Sequence, residues 1–157
     1  MNNKPVRVLF VCLGNICRSP MAEAVFAHKV ALAGLSDEID VDSAGTDGWH
    51  IGSAPHAGTR RVLQEGGIAC SHIGRAVSRA DFDNFDYILA MDQDNIDRLR
   101  QIGSGTAVVK LLLSFTPDCG ANDVPDPYYT GNFDEVYRLI DAAAENLLAW
   151  IRKEHGL

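Results

Sequence analysis

Residues 8–12, Val-Leu-Phe-Val-Cys, form an apolar run that breaks into Leu13-Gly14-Asn15-Ile16-Cys17-Arg18 and then Ser19-Pro20. A strand this uniformly apolar is covered on both faces, as strands of a parallel sheet are. Ser19 is a helix-capping residue type, and Pro20 suits the first helical position, where its missing N–H costs nothing. The stretch therefore predicts a strand, a short loop and a helix N-terminus. Backbone N–H groups and the positive end of a helix dipole converge at such a turn and favour an anion. Cys12 stands on its rim, where a thiol ionises easily. Arg18 completes a C-x5-R spacing, and its planar fork can hold two oxygens of one oxyanion. Gly14 is free to take an unusual backbone angle, and Ser19 is placed to hydrogen-bond the sulfur. Taken alone at the end of an apolar strand, Cys12 reads more often as a buried, inert thiol.

The rest of the chain repeats the strand–helix alternation. Strands are expected over residues 6–11, 39–42, 85–91 and 108–111. Helices are expected from Pro20 to about Gly34, over 57–65 ahead of Gly66-Gly67, and from an Asp92 or Asp94 cap to near Gly103, with a short turn near 80–83. The clearest periodicity comes last: Val136, Leu139, Ile140, Ala143, Leu147, Trp150 and Ile151 share one helical face, preceded by a capping-box-like Asn132 and Glu135. Between the fourth strand and that helix, residues 116–132 are rich in Pro, Asp, Gly and Tyr, and loops of this length in compact domains are commonly functional. The pattern predicts an α/β three-layer sandwich, a mostly parallel four-stranded sheet flanked by helices. Its site belongs at the carboxyl ends of the strands. A single domain over residues 1–157 is expected.

Charge narrows the partners. A formal net charge of −7 and a pI near 5.1 disfavour non-specific binding to nucleic acid or an anionic membrane, so an anion site must be locally positive. The apolar run near the N-terminus is too short for a signal-peptide core or a membrane span, which points to the cytoplasm. Four cysteines there read as reduced thiols. Their spacings, with five scattered histidines, fit no zinc pattern, so no metal is expected. No nucleotide-binding G-x-x-x-x-G-K-[ST] occurs, and no cofactor is expected. Cys70 and Cys119 read as packing or surface thiols. Arg60, Arg61, Arg75 and Arg79 read as solvated faces.

The opening stretch, with its continuation Met21-Ala22-Glu23-Ala24, resembles the phosphate-binding loop of the low-molecular-weight protein tyrosine phosphatases. The resemblance spans nearly the whole chain: Asp42-Ser43-Ala44-Gly45-Thr46 with Trp49, residues 66–72, Met91-Asp92 with Asn95, and Asp126-Pro127-Tyr128-Tyr129 follow in the family's order. It implies hydrolysis of phosphotyrosine in protein substrates through a cysteinyl-phosphate. Cys12 would be the nucleophile, Arg18 the phosphate clamp and Asp126 the general acid. Backbone amides of Leu13, Gly14, Asn15, Ile16, Cys17 and Arg18 would complete the cradle. Asn15, Ser43 and His72 match residues that brace the loop. Trp49, Tyr128 and Tyr129 would wall a cleft around an aromatic ring. Cys17 matches a thiol that forms a reversible, protective disulfide with the nucleophile.

Other readings share this loop. An arsenate reductase would need relay cysteines, and residues 81–95 contain none. Protein-arginine phosphatases tend to carry Thr in place of Ile16 and to lack the tyrosine pair. A non-catalytic phosphate-binding module, or a thiol redox sensor built on Cys12 and Cys17, would not need Asp126. Oligomeric state is left open, with a monomer compatible.

Overall fold

A computed structural model describes residues 4–157. Four parallel strands, β1 (Val6–Cys12), β2 (Ile39–Gly45), β3 (Tyr87–Ala90) and β4 (Val108–Leu111), lie in the order β2-β1-β3-β4. Six helices connect and cover them: α1 (Arg18–Leu32), α2 (Ala57–Glu65), α3 (Asp81–Asn84), α4 (Gln93–Ile102), α5 (Pro127–Thr130) and α6 (Phe133–His155). No helix among the described residues is long and apolar enough to cross a membrane.

The alternation of β1 shows why it is apolar throughout. Val8, Phe10 and Cys12 join the core beneath α1, α2 and α6, whereas Leu9 and Val11 join Ile88, Ile96, Leu99 and Phe82 on the opposite face. Each such side chain, fully buried, contributes roughly 1.5–3 kcal/mol. With β2 on one side and β3 on the other, β1 is central, and its carboxyl end opens at the point where the chain switches sides of the sheet. Ligands of open α/β sheets bind there. The predicted stripe of α6 is core: Val136, Ile140, Ala143, Leu147 and Ile151 are fully buried. Leu139 and Trp150 pack at its edge, Trp150 against Tyr87 and Phe115.

Several local expectations need correction. Helix α1 begins at Arg18, with Cys17 at the cap position and no capping side chain, so Ser19 lies inside the first turn. Its hydroxyl is engaged by Cys12 Sγ and Asn15 Nδ2 instead. β2 runs on to Gly45, because its last residues pair with β1 up to Cys12. β3 is shorter than expected, at four residues. Asn132 does not cap α6, since its side-chain amide bonds the Glu135 carboxylate rather than backbone. Residues 112–132 are not featureless: they hold two 3₁₀ turns, Leu112–Phe115 and Pro117–Cys119, followed by α5. Arg75 is no solvated face. It pairs with Asp42 and Asp81 at 3.0 Å each, partners that outweigh the effect of its burial and raise its pKa.

Candidate active site

Cys12 ends β1 and Arg18 opens α1, so residues 13–17 must turn the chain sharply. Asn15 takes the strain, with a φ of 56°, a conformation that costs a non-glycine residue about 1–2 kcal/mol. Its own side chain holds it there. The amide Nδ2 donates to Ser19 Oγ at 2.8 Å and Ser43 Oγ at 3.0 Å, and Oδ1 accepts from the Arg75 backbone N–H at 3.0 Å. His72 Nε2 lies 2.7 Å from the same Oδ1, and its Nδ1 lies 2.9 Å from Glu23, which also accepts from Ser43 Oγ. A backbone N–H can only donate, so Arg75 fixes which end of the Asn15 amide is oxygen.

The network ends on sulfur. The Asn15 N–H donates to Cys12 Sγ at 3.3 Å, and Ser19 Oγ lies 3.0 Å from it. Ser19 Oγ accepts from Asn15 and keeps its one hydrogen available to a thiolate at Cys12. Asn15, Ser19 and Ser43 are buried, so water does not compete for these bonds. The loop also leans on β2, where a Cβ at Gly45 would stand 2.8 Å from the Leu13 carbonyl oxygen. Only glycine admits that approach.

Arg18 is 2% exposed. Its Nη1 donates to Asp92 at 2.6 Å and to the Val124 carbonyl at 3.0 Å, and its Nη2 lies 3.4 Å from Asp126. Burial opposes its charge, but the Cys12 sulfur, the bond to Asp92 and the Asp126 carboxylate outweigh it and hold the pKa above its ordinary value. Nε is buried with no partner among the described residues. Asp92 is itself fixed by a reciprocal capping box with Asn95 at the start of α4. Asp126 caps α5, accepting from the Tyr128 N–H at 3.1 Å through one carboxylate oxygen while the other faces Arg18.

Cys12, Arg18 and Asp126 line one cavity, with Ile16 and Cys17 buried at its base. Leu13 and Gly14 line it as well, and Trp49, Tyr128 and Tyr129 form an exposed rim. Burial, with the charges of Cys12 and Asp126, pushes the Cys17 thiol up to about 12, although Arg18 pulls it down in part. Every site residue expected from the sequence thus either lines this cavity or, as with Asn15, Ser19, Ser43 and His72, belongs to the network beneath Cys12. Four participants went unassigned. Asp92 and Glu23 hold Arg18 and His72, Arg75 locks Asn15, and His50 lines the rim. Asp92 was legible in principle, because it lies two residues past β3 at the carboxyl edge of the sheet. Among the described residues, Glu23, Asp42 and His72 are the group whose donor atoms, within 4.8 Å of one another, suit a metal. Those atoms are already engaged with one another, Ser43 and Arg75.

A model of the family described as low molecular weight phosphotyrosine protein phosphatase matches residues 7–156. The low molecular weight protein-tyrosine-phosphatase YfkJ of Bacillus subtilis is 53% identical over 155 residues, covering 97% of this chain and 99% of the relative. The crystal structure of YfkJ superposes with a TM-score of 0.95 over 99% of both chains, at 51% identity. A Drosophila arginine phosphatase is also similar, at 37% identity and a TM-score of 0.87 over 92% of this chain and 97% of that one. With this coverage and identity, the chain belongs to the low molecular weight phosphotyrosine protein phosphatase family.

Proposed function

We propose that this protein hydrolyses phosphotyrosine in protein substrates, with Cys12 as nucleophile, Arg18 as clamp and Asp126 as general acid. The observation that carries the reading is the buried Arg18 Nε, without a hydrogen-bond partner among the described residues, in a side chain that lines one cavity with Cys12 and Asp126. A buried donor without an acceptor is expensive, and a phosphoryl oxygen supplies the acceptor. The uncapped first turn of α1 and the amides of residues 13–18 supply further donors.

In the first step the Cys12 sulfur attacks phosphorus, an S–P bond forms and the P–O bond to the phenol breaks. Asp126 gives its proton to the departing oxygen. In the second step the Asp126 carboxylate takes a proton from water, whose oxygen displaces sulfur and releases inorganic phosphate. Arg18 holds two equatorial oxygens as their charge redistributes. The aromatic rim selects a substrate whose phosphate stands on a long, flat ring. Peroxide would convert the Cys12 thiolate to a sulfenic acid, and attack by Cys17 with loss of water would store it as a disulfide. Four free thiols suit a reducing cytoplasm.

Initial rates on matched phosphotyrosine, phosphoserine and phosphoarginine peptides test the reading, with arsenate reduction assayed in parallel. Phosphotyrosine should be preferred. Preference for phosphoarginine would move the chain to the arginine-directed branch, and arsenate turnover would move it to the reductases.

A further inference from the structure

We propose that His56 is a positioning residue that holds the Asp126-bearing segment over the Cys12 loop, an inference that rests on the phosphatase reading above. Three parts of the site, the Cys12 loop, α2 and the segment behind Asp126, meet at this residue. Its backbone N–H donates to the Ile16 carbonyl at 2.7 Å, tying it to the cradle. Its Nδ1 accepts from the Gly58 N–H at 3.0 Å, which caps α2 and places the ring's hydrogen on Nε2. Its ring stacks on Phe133, with centroids 5.0 Å apart and planes at 21°, and meets Tyr128 edge-on at 6.0 Å and 78°.

Tyr128 and Phe133 both lie on the C-terminal side of the acid, on the segment that runs from Asp126 into α6. Tyr128 is two residues from Asp126 and bonds its carboxylate through the backbone N–H. Phe133 opens α6 and closes the segment at its far end. Phe133 is itself seated hard against α2, for a Cβ at Gly58 would stand 2.5 Å from its ring. A segment tied to Arg18 ahead of the acid through the Val124 carbonyl at 3.0 Å, and through the carboxylate itself at 3.4 Å, is therefore held at two points behind the acid by one imidazole. The backbone of the same residue is anchored in turn to the loop on which the carboxylate must act. Misplacing a catalytic group by an ångström can lower a rate by two orders of magnitude, so a clamp of this kind affects chemistry without touching substrate.

The test separates ring from cap. His56→Asn keeps an acceptor for the α2 N-terminus but removes the ring, and His56→Phe keeps the ring and removes the acceptor. A series of aryl phosphates of rising leaving-group pKa, with competitive inhibition by inorganic phosphate and thermal midpoints, gives the readouts. His56→Asn should lower kcat about tenfold for poor leaving groups and less for good ones, with phosphate inhibition nearly unchanged. His56→Phe should keep the wild-type leaving-group dependence despite a lower melting temperature. Wild-type leaving-group dependence in His56→Asn overturns the inference, as does phosphate inhibition that weakens in step with kcat. A wild-type protein without aryl phosphatase activity would sink the underlying function as well, whereas an active wild type with an unaffected His56→Asn sinks this inference alone.

Discussion

The loop around Cys12 and the rim around Trp49 and Asp126 serve one cavity but are built in opposite ways. In the loop, Asn15 alone makes four side-chain hydrogen bonds to three other segments of the chain, and Asn15, Ser19 and Ser43 are buried. On the rim, Trp49 is 76% exposed and Tyr129 74%, and among the described residues Asp126 meets the cradle through one 3.4 Å contact to Arg18. The strained φ of Asn15 persists because its neighbours over-determine it, whereas nothing comparable fixes the aromatic side chains. Charge stabilisation needs donors that do not reorganise during the reaction, and recognition of a flat ring needs accessible apolar surface. The two regions therefore fail differently when changed.

Replacing the nucleophile has the largest effect. Cys12→Ser should lower aryl phosphate turnover by at least about 10⁴-fold while phosphate binding stays measurable by calorimetry, and appreciable remaining turnover would remove Cys12 from its role. Next comes Asp126→Ala, expected to slow phosphoryl transfer by on the order of 10²–10⁴-fold, most steeply for poor leaving groups. A leaving-group dependence equal to wild type would unseat the acid. Asn15→Ala tests the contrast itself. It strands the partners of four hydrogen bonds in a buried site, so urea unfolding should show a loss of about 2–4 kcal/mol together with lower kcat. If that substitution behaves like a rim substitution, with stability intact, the loop is not held as described.

Legibility in the sequence divides along the same line. The β1–loop–α1 unit could be read from one stretch because apolar run, glycine, arginine and Ser-Pro are neighbours in the chain. The α6 stripe was equally plain, since burial imposes its period on seven positions. The brace beneath Cys12 was readable only through resemblance, because Ser43 and His72 converge from 28 and 57 residues away from Asn15. Glu23 and Arg75 escaped altogether. A carboxylate in a helix and an arginine beside a glycine look solvated until the fold brings counter-charges to them. The Ser19 cap failed for a local reason of the same kind. Helix α1 begins one residue before Ser19, so the hydroxyl lies inside the first turn and faces the thiol and the amide instead of the helix end.

Smaller effects sharpen the comparison further. Cys17 sits at the base of the cavity with its pKa raised from 9.0 to about 12. A raised value means the folded protein keeps this proton where the unfolded chain has lost it. The stabilisation is full below about pH 9 and is lost as pH climbs towards 12. Between pH 8 and 10 this one group should remove about 1 kcal/mol of stability, and Cys17→Ala should show a correspondingly shallower fall in urea midpoint. Equal slopes in the two proteins would mean that the thiol is not held neutral.

The rim should answer weakest in stability and most selectively in kinetics. Trp49 has most of its surface in water already, so Trp49→Ala should shift unfolding by no more than about 0.5 kcal/mol. It makes none of the bonds that hold Cys12, Arg18 or Asp126, so kcat should stay near wild type. What it removes is apolar wall around the substrate ring and its flanking chain, which predicts a several-fold rise in KM for a phosphotyrosine peptide and a smaller rise for a bare aryl phosphate. Steady-state kinetics on both substrates decide it. A fall in kcat with KM unchanged would mean that Trp49 acts on the reacting groups, and the division between a fixed loop and a selecting rim would have to be redrawn at residue 49.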